Sequence, residues 1–204
     1  MYIPHYYKNE NIAEVKEFLI ENSFGILLNT VDGRPWGTHI PLELDVDKDG
    51  NDILMGHLAK ANPQWKNFEG DPEVLCIFNG PHSYVSSSWY QEEEVPTWNY
   101  IAVHIYGKLK IIEGETLMSH LKKLVDKYES GSKDPIKIEN LSKNTMKQVR
   151  GVVGFQIEIN EIQAAYKLSQ GREHDHSKII QELEDKPYAG SKTIAKLLKK
   201  KLPK

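Results

Sequence analysis

The sequence predicts an α+β chain that is mainly β, a small antiparallel barrel with peripheral helices. Two observations carry this. Short apolar runs follow one another across hairpin-type turns, VDGRP at 31–35 and DKDGN at 47–51. Helical periodicity is confined to the two ends and one insertion, which disfavours a strand–helix–strand alternation.

Taken in order, residues 11–22 read as a helix, with Ile12, Val15, Phe18 and Leu19 at helical spacing behind an asparagine cap. FGILLNT (24–30) reads as a strand, and Thr38 to Leu44 as the next. Asp52 to Gly56 begins a third, which loses strand character after Met55. Asn62-Pro63 marks a helix start, with proline at its first position. VLCIFNG (74–80) is a continuous apolar run, expected to be buried on both faces.

The long strand is Thr97 to Ile112. Its odd positions Ile101, Val103, Ile105, Leu109 and Ile111 form a core face. Its even positions, among them Trp98, Tyr100, His104 and Tyr106, suit an interface or a ligand. A helix over 116–129, a shorter helix and the strand VVGFQIEI (152–159) follow. The expected division is a barrel domain at 1–160, with a helical insertion near 116–149, and a helical segment at 161–204 packed on it. Ile194, Leu197, Leu198 and Leu202 stripe the last helix.

The chain has 204 residues, enough for one good core. It has no apolar run long enough to span a membrane. MYIPHYYKNEN lacks a basic region followed by an apolar one, so it does not read as a signal peptide. The single cysteine, Cys76, excludes an intramolecular disulfide and a multi-cysteine zinc site, and it reads as a core residue. The expected location is the cytoplasm. The net charge of −3 makes any DNA contact a local one. The basic cluster is the tail: Lys192, Lys196, Lys199, Lys200, Lys201 and Lys204.

Three stretches could carry chemistry. In GHLAKANPQW (56–65), Lys60 offers a charge, and His57 and Asn62 offer directed hydrogen bonds beside a helix start, a pattern that suits an anion. A strand-to-helix turn with a solvated lysine accounts for the same residues. NGPHSYVSSSWYQEEEVPTWNY (79–100) combines small hydroxyls with flat aromatics, which suits a planar ligand, another subunit or core packing. It contains no G-x-S-x-G, so acyl transfer is disfavoured. In YKLSQGREHDHSKII (166–180), His174 and His176 flank Asp175; no further ligand spacing supports a metal, and a solvated polar loop is expected.

MYIPHYY, THIPLEL, GHLAKANPQW, FNGPHSYVSSSWY, VPTWNYIAVHIYGKL, VVGFQIEI and AYKLSQ occur in this order from residue 1 to about 172. Together they resemble the PaiB family of FMN-binding-type transcriptional regulators. The resemblance implies a split β-barrel of the pyridoxamine-phosphate-oxidase-like type, a homodimer with FMN or another small ligand at the subunit interface, and negative regulation of transcription. A regulator acts on DNA, and the resemblance favours this over the alternative, an FMN-dependent oxidoreductase of unknown substrate. By position in such barrels, His57, Lys60 and Asn62 are phosphate candidates. Thr38, His39 and Ile40 would lie beside the isoalloxazine, and Trp98, Asn99 and Tyr100 would complete the pocket from a partner subunit. No catalytic residue is assigned; His39, His57 and His104 are the histidines that would move protons in an enzyme. The chain departs from the family's usual pattern at Ser87, often proline, and at Gly171, often asparagine. It departs again at Asp175-His176, where many members have Asp-Arg.

Overall fold

The computed structural model describes residues 1–69 and 72–202; Lys204 of the basic tail lies outside them. The chain order is α1 (Ile12–Glu21), β1 (Phe24–Val31), β2 (Arg34–Pro41), β3 (Glu43–Val46), β4 (Asp52–Ala59), β5 (Glu73–Val85), β6 (Thr97–Ile112), α2 (Gly114–Glu129), α3 (Lys143–Met146), β7 (Val152–Lys167), α4 (His176–Asp185) and α5 (Ala189–Lys199). The strands form one seven-stranded sheet in the order β2-β1-β5-β6-β7-β4-β3. The β1–β2, β1–β5, β3–β4 and β4–β7 pairs are antiparallel. The predicted antiparallel, split-barrel architecture is the one observed. Among the described residues, no helix is long and apolar enough to cross a membrane.

The chain divides into two compact units that interleave in sequence. One comprises Met1–Phe18, Phe78–His104 and Gln163–Lys204; the other comprises Leu19–Ile77 and Ile105–Ile162. In the second, Leu27, Leu54, Ile105, Leu109, Phe155 and Ile157 are fully buried, and Phe68 meets Phe155 edge to face at 5.8 Å. In the first, Val15, Phe78, Val103, Ile179, Leu183, Ile194 and Leu198 are fully buried, and α4 packs on α5.

Several elements differ from the sequence reading. Strand β4 does not stop after Met55. It runs through Gly56, His57 and Leu58 to Ala59, because its register with β7 continues from Ile53↔Glu158 to Ala59↔Val152. Gly56 keeps its place there because a Cβ would come within 2.6 Å of the Phe155 ring. Strand β5 is longer than the apolar run and is not buried on both faces: Val74, Cys76 and Phe78 are buried, while Leu75 and Ile77 are half-buried. On β6 the alternation slips after Leu109. Lys110 and Ile111 are both exposed, so Ile112 turns inward in place of Ile111. The helix at Pro63 is a single 3-10 turn, Pro63–Asn67. The segment around His174 is not a solvated loop. Asp175 and His176 are buried, with the His176 Nε2 at 2.9 Å from the Ser169 carbonyl and the Asp175 carboxylate accepting the Gln91 N–H at 3.0 Å. Among the described residues, no group of three or more metal-type side chains converges.

Candidate functional site

The turn after β4 is strapped from both sides. Lys60 N–H donates to the Gly151 carbonyl at 2.8 Å, extending the β4–β7 ladder one step past Ala59↔Val152. The Trp65 indole N–H donates to the Lys60 carbonyl at 2.8 Å. Asn62 caps the 3-10 turn: its Oδ1 accepts the Gln64 N–H at 3.0 Å, and Pro63 occupies the first helical position.

The consequence is a pair of cations. Gly151 is held against Lys60, so Arg150 is fixed beside it. Lys60, Arg150 and Trp65 line one groove of about 520 Å³ whose apolar wall includes Ile111, Leu117 and Val153. Neither cation has an ion-pair partner among the described residues. Glu113 is the acid in the lining. Two uncompensated cations beside an indole and aliphatic surface suit a ligand with a flat apolar body and an anionic group. The donor set therefore fits a flavin phosphate. Lys60 and Arg150 would hold the phosphate, and Trp65 and Ile111 would flank the ring.

The other predicted residues take varied places. Thr38 and Asn62 do come together, but they serve each other. Asn62 Nδ2 donates to Thr38 Oγ1 at 2.9 Å, and Thr38 Oγ1 donates to the Gln64 Oε1. Gln64, fully buried, donates in turn to the Asn29 side chain and the Leu27 carbonyl. This network fixes the turn and leaves the Asn62 amide engaged at both ends. Ile40 is buried in the core, and His39 is exposed with its ring stacked on Phe24 at 6.4 Å. His57 does not line the groove; its Nδ1 faces His120 Nε2 at 3.4 Å. Burial holds both imidazoles below the usual histidine range, His120 to about 4. Trp98, Asn99 and Tyr100 belong to the other unit. There Trp98 is exposed among the rings of His82 and Tyr84, Asn99 is buried against Ser169, and Tyr100 is half-buried. Burial also lowers His104. Arg150 and Trp65 were missed as site residues. Trp65 lies within GHLAKANPQW, whereas Arg150 is ninety positions from Lys60 and only the β4–β7 register places it.

Residues 1–161 match the model of the family described as "Putative FMN-binding domain". The chain is 44% identical over 206 residues to the "Protease synthase and sporulation protein PAI 2" of Bacillus subtilis, covering 100% of this chain and 99% of that protein. The flavocytochrome Anf3 from Azotobacter vinelandii shares the fold at a TM-score of 0.63, with 16% identity over 85% of this chain and 76% of that one. The FAD and heme binding protein from Mycobacterium smegmatis shares it at 0.62, with 14% identity over 84% and 79%.

Proposed function

Because the chain belongs to the PaiB-type family with an FMN-binding domain, we propose that it is a dimeric negative regulator of transcription that binds FMN in the Lys60–Trp65–Arg150 groove. One observation supports the flavin reading above the rest. The Lys60–Gly151 hydrogen bond sets two cations, Lys60 and Arg150, without ion-pair partners among the described residues, beside an indole in one groove. The family's description points the same way, as do the flavin-containing proteins that share the fold. Bound FMN would supply redox chemistry or serve as a sensed ligand. In a regulator, the chain's own residues bind and orient it. As a homodimer it would bring Trp98 and Tyr100 to the partner's flavin, whereas Asn99, fully buried against Ser169, supports their strand from inside. The oxidoreductase alternative is not favoured: of its three histidines, His57 faces His120 and His39 stacks on Phe24.

The test is a titration of the full chain with FMN and, separately, with riboflavin, followed by flavin fluorescence. Lys60→Ala and Arg150→Ala each remove a charge-assisted contact to phosphate, which corresponds to roughly 10-fold or more in Kd. The loss should appear with FMN and be small with riboflavin, which has the ring without the phosphate. Equal affinity of wild type and both variants for FMN would end the assignment of this groove. Binding to a promoter fragment, measured with and without FMN, tests the regulator role.

A further inference from the structure

A second, smaller pocket lies in the other unit and shares no lining residue with the flavin groove. Its volume is about 190 Å³, too small for a flavin ring system, and its lining includes Tyr7, Tyr90, Asn99, Lys167, Ser169 and Arg172. Each cation in it is held against an aromatic face. The Lys167 ammonium stands 5.3 Å from the centre of the Tyr7 ring, and the Arg172 guanidinium 4.4 Å from that of Tyr90. Lys167 also donates to the Thr97 hydroxyl and has no carboxylate partner among the described residues. Arg172 pairs with Glu94 at 2.7 Å, a carboxylate that remains partly exposed.

Two features mark the pocket as more than a packing fault. The Tyr90 hydroxyl is buried and has no hydrogen-bond partner among the described residues, a costly condition for a polar group unless something else satisfies it. Ser169 has a φ of +52°, a left-handed conformation that a non-glycine residue rarely adopts. That backbone is held from several sides. Asn99 Nδ2 donates to Ser169 Oγ at 2.9 Å, and the Ser169 carbonyl lies 2.9 Å from His176 Nε2 and accepts the Arg172 N–H at 3.3 Å. The outcome of this bracing is that Lys167, two residues before, and Arg172, three residues after, face one small space. The lining then offers a guanidinium fork, an ammonium and a neutral phenol, all donors.

We propose that this pocket binds a small oxyanion, a carboxylate or phosphate group, with Arg172 and Lys167 as its charged donors and the Tyr90 hydroxyl as its third. Glu94 occupies one face of Arg172 in the free protein and competes with the incoming anion. The inference is independent of the flavin reading, since it shares no residue with that groove.

The experiment uses the full chain and two probes, inorganic phosphate and acetate, titrated by calorimetry and checked by the rise in Tm that ligand binding to the native state produces. Tyr90→Phe is the decisive variant. It keeps the ring beneath Arg172 and removes a hydroxyl that makes no hydrogen bond among the described residues. Its Tm without ligand should therefore match or exceed wild type, while affinity for the probe that binds falls several-fold. Arg172→Gln and Lys167→Gln should each lower the affinity at least 10-fold. Glu94→Gln should raise it by removing the competitor. Binding that is unaltered in Tyr90→Phe, or weakened in Glu94→Gln, would overturn the proposal, as would the failure of both probes to bind wild type.

Discussion

At the scale of single residues, the His57–His120 pair has a consequence for acid stability. His120 is 4% exposed, and its folded pKa is pushed from 6.5 to about 4. Burial is the main cause, followed by His57, with Lys123 adding a little; Glu43 and Asp45 oppose them. A histidine with a depressed folded pKa takes up its proton more readily when the chain unfolds. Above pH 6.5 both states are neutral and there is no penalty. As pH falls from 6.5 toward 4, the unfolded state is favoured progressively. His120→Gln removes this term. Between pH 7 and pH 4.5 the variant should therefore lose about 2 kcal/mol less unfolding free energy than wild type. Urea midpoints at the two pH values measure it, and parallel losses would show that His120 is already protonated in the fold. Which residues could be read from sequence follows the same logic of distance. Lys60 was legible because its motif is local. His120 and Arg150 were not, because each meets its partner through sheet register or helix packing more than sixty positions away.

At the scale of elements, local signals placed most helices and strands, and tertiary packing set their limits. Pro63 after Asn62 located the start of the 3-10 turn, and DG at 32–33 located a turn in which both residues adopt positive φ. The extension of β4 through Ala59 was hidden, because Gly56 and His57 do not look like strand residues; their place is dictated by pairing with β7 and by the Phe155 ring. The slip on β6 was hidden as well, because a period of two carries no sign of where it breaks, yet it is this slip that turns Ile111 toward the groove. Ser87 shows an element whose sequence is not optimal for its conformation. It is the first residue of the 3-10 turn Ser87–Trp89, and Ser86 before it has φ −74° and ψ 140°. Proline at position 87 fits both the turn's first position and the extended residue that proline requires before it. Ser87→Pro should stabilise the protein by about 0.5–1 kcal/mol, chiefly by restricting the unfolded chain. Thermal melts should show a rise of roughly 1–4 °C. A fall would mean that the Ser87 backbone N–H or side chain has a role in the fold that proline cannot supply.

At the scale of the whole molecule, the ordered motifs made the family and the split barrel legible over most of the chain. The two units were not legible, because each is assembled from stretches far apart in the sequence. Net charge belongs to this scale too. The proposed regulator role would require a protein of charge −3 to concentrate positive charge on one surface. Helix α5 and the residues after it do so: Lys192, Lys196, Lys199, Lys200 and Lys201 are all exposed, and of these Lys199 pairs with Glu184. Deleting the tail from residue 191 is a poor test, because Ile194, Ala195 and Leu198 are fully buried and Ser191 bonds Ser83, so the loss would unfold the α4–α5 packing. Replacing Lys192, Lys196, Lys200 and Lys201 with glutamine leaves that apolar face intact. If these lysines meet phosphates, the slope of log K against log salt for promoter binding should flatten by as much as about 3–4. Affinity at low salt should fall while Tm stays near that of wild type. A variant that binds with the wild-type slope would remove this helix as the DNA-facing surface and place the contact elsewhere on the protein.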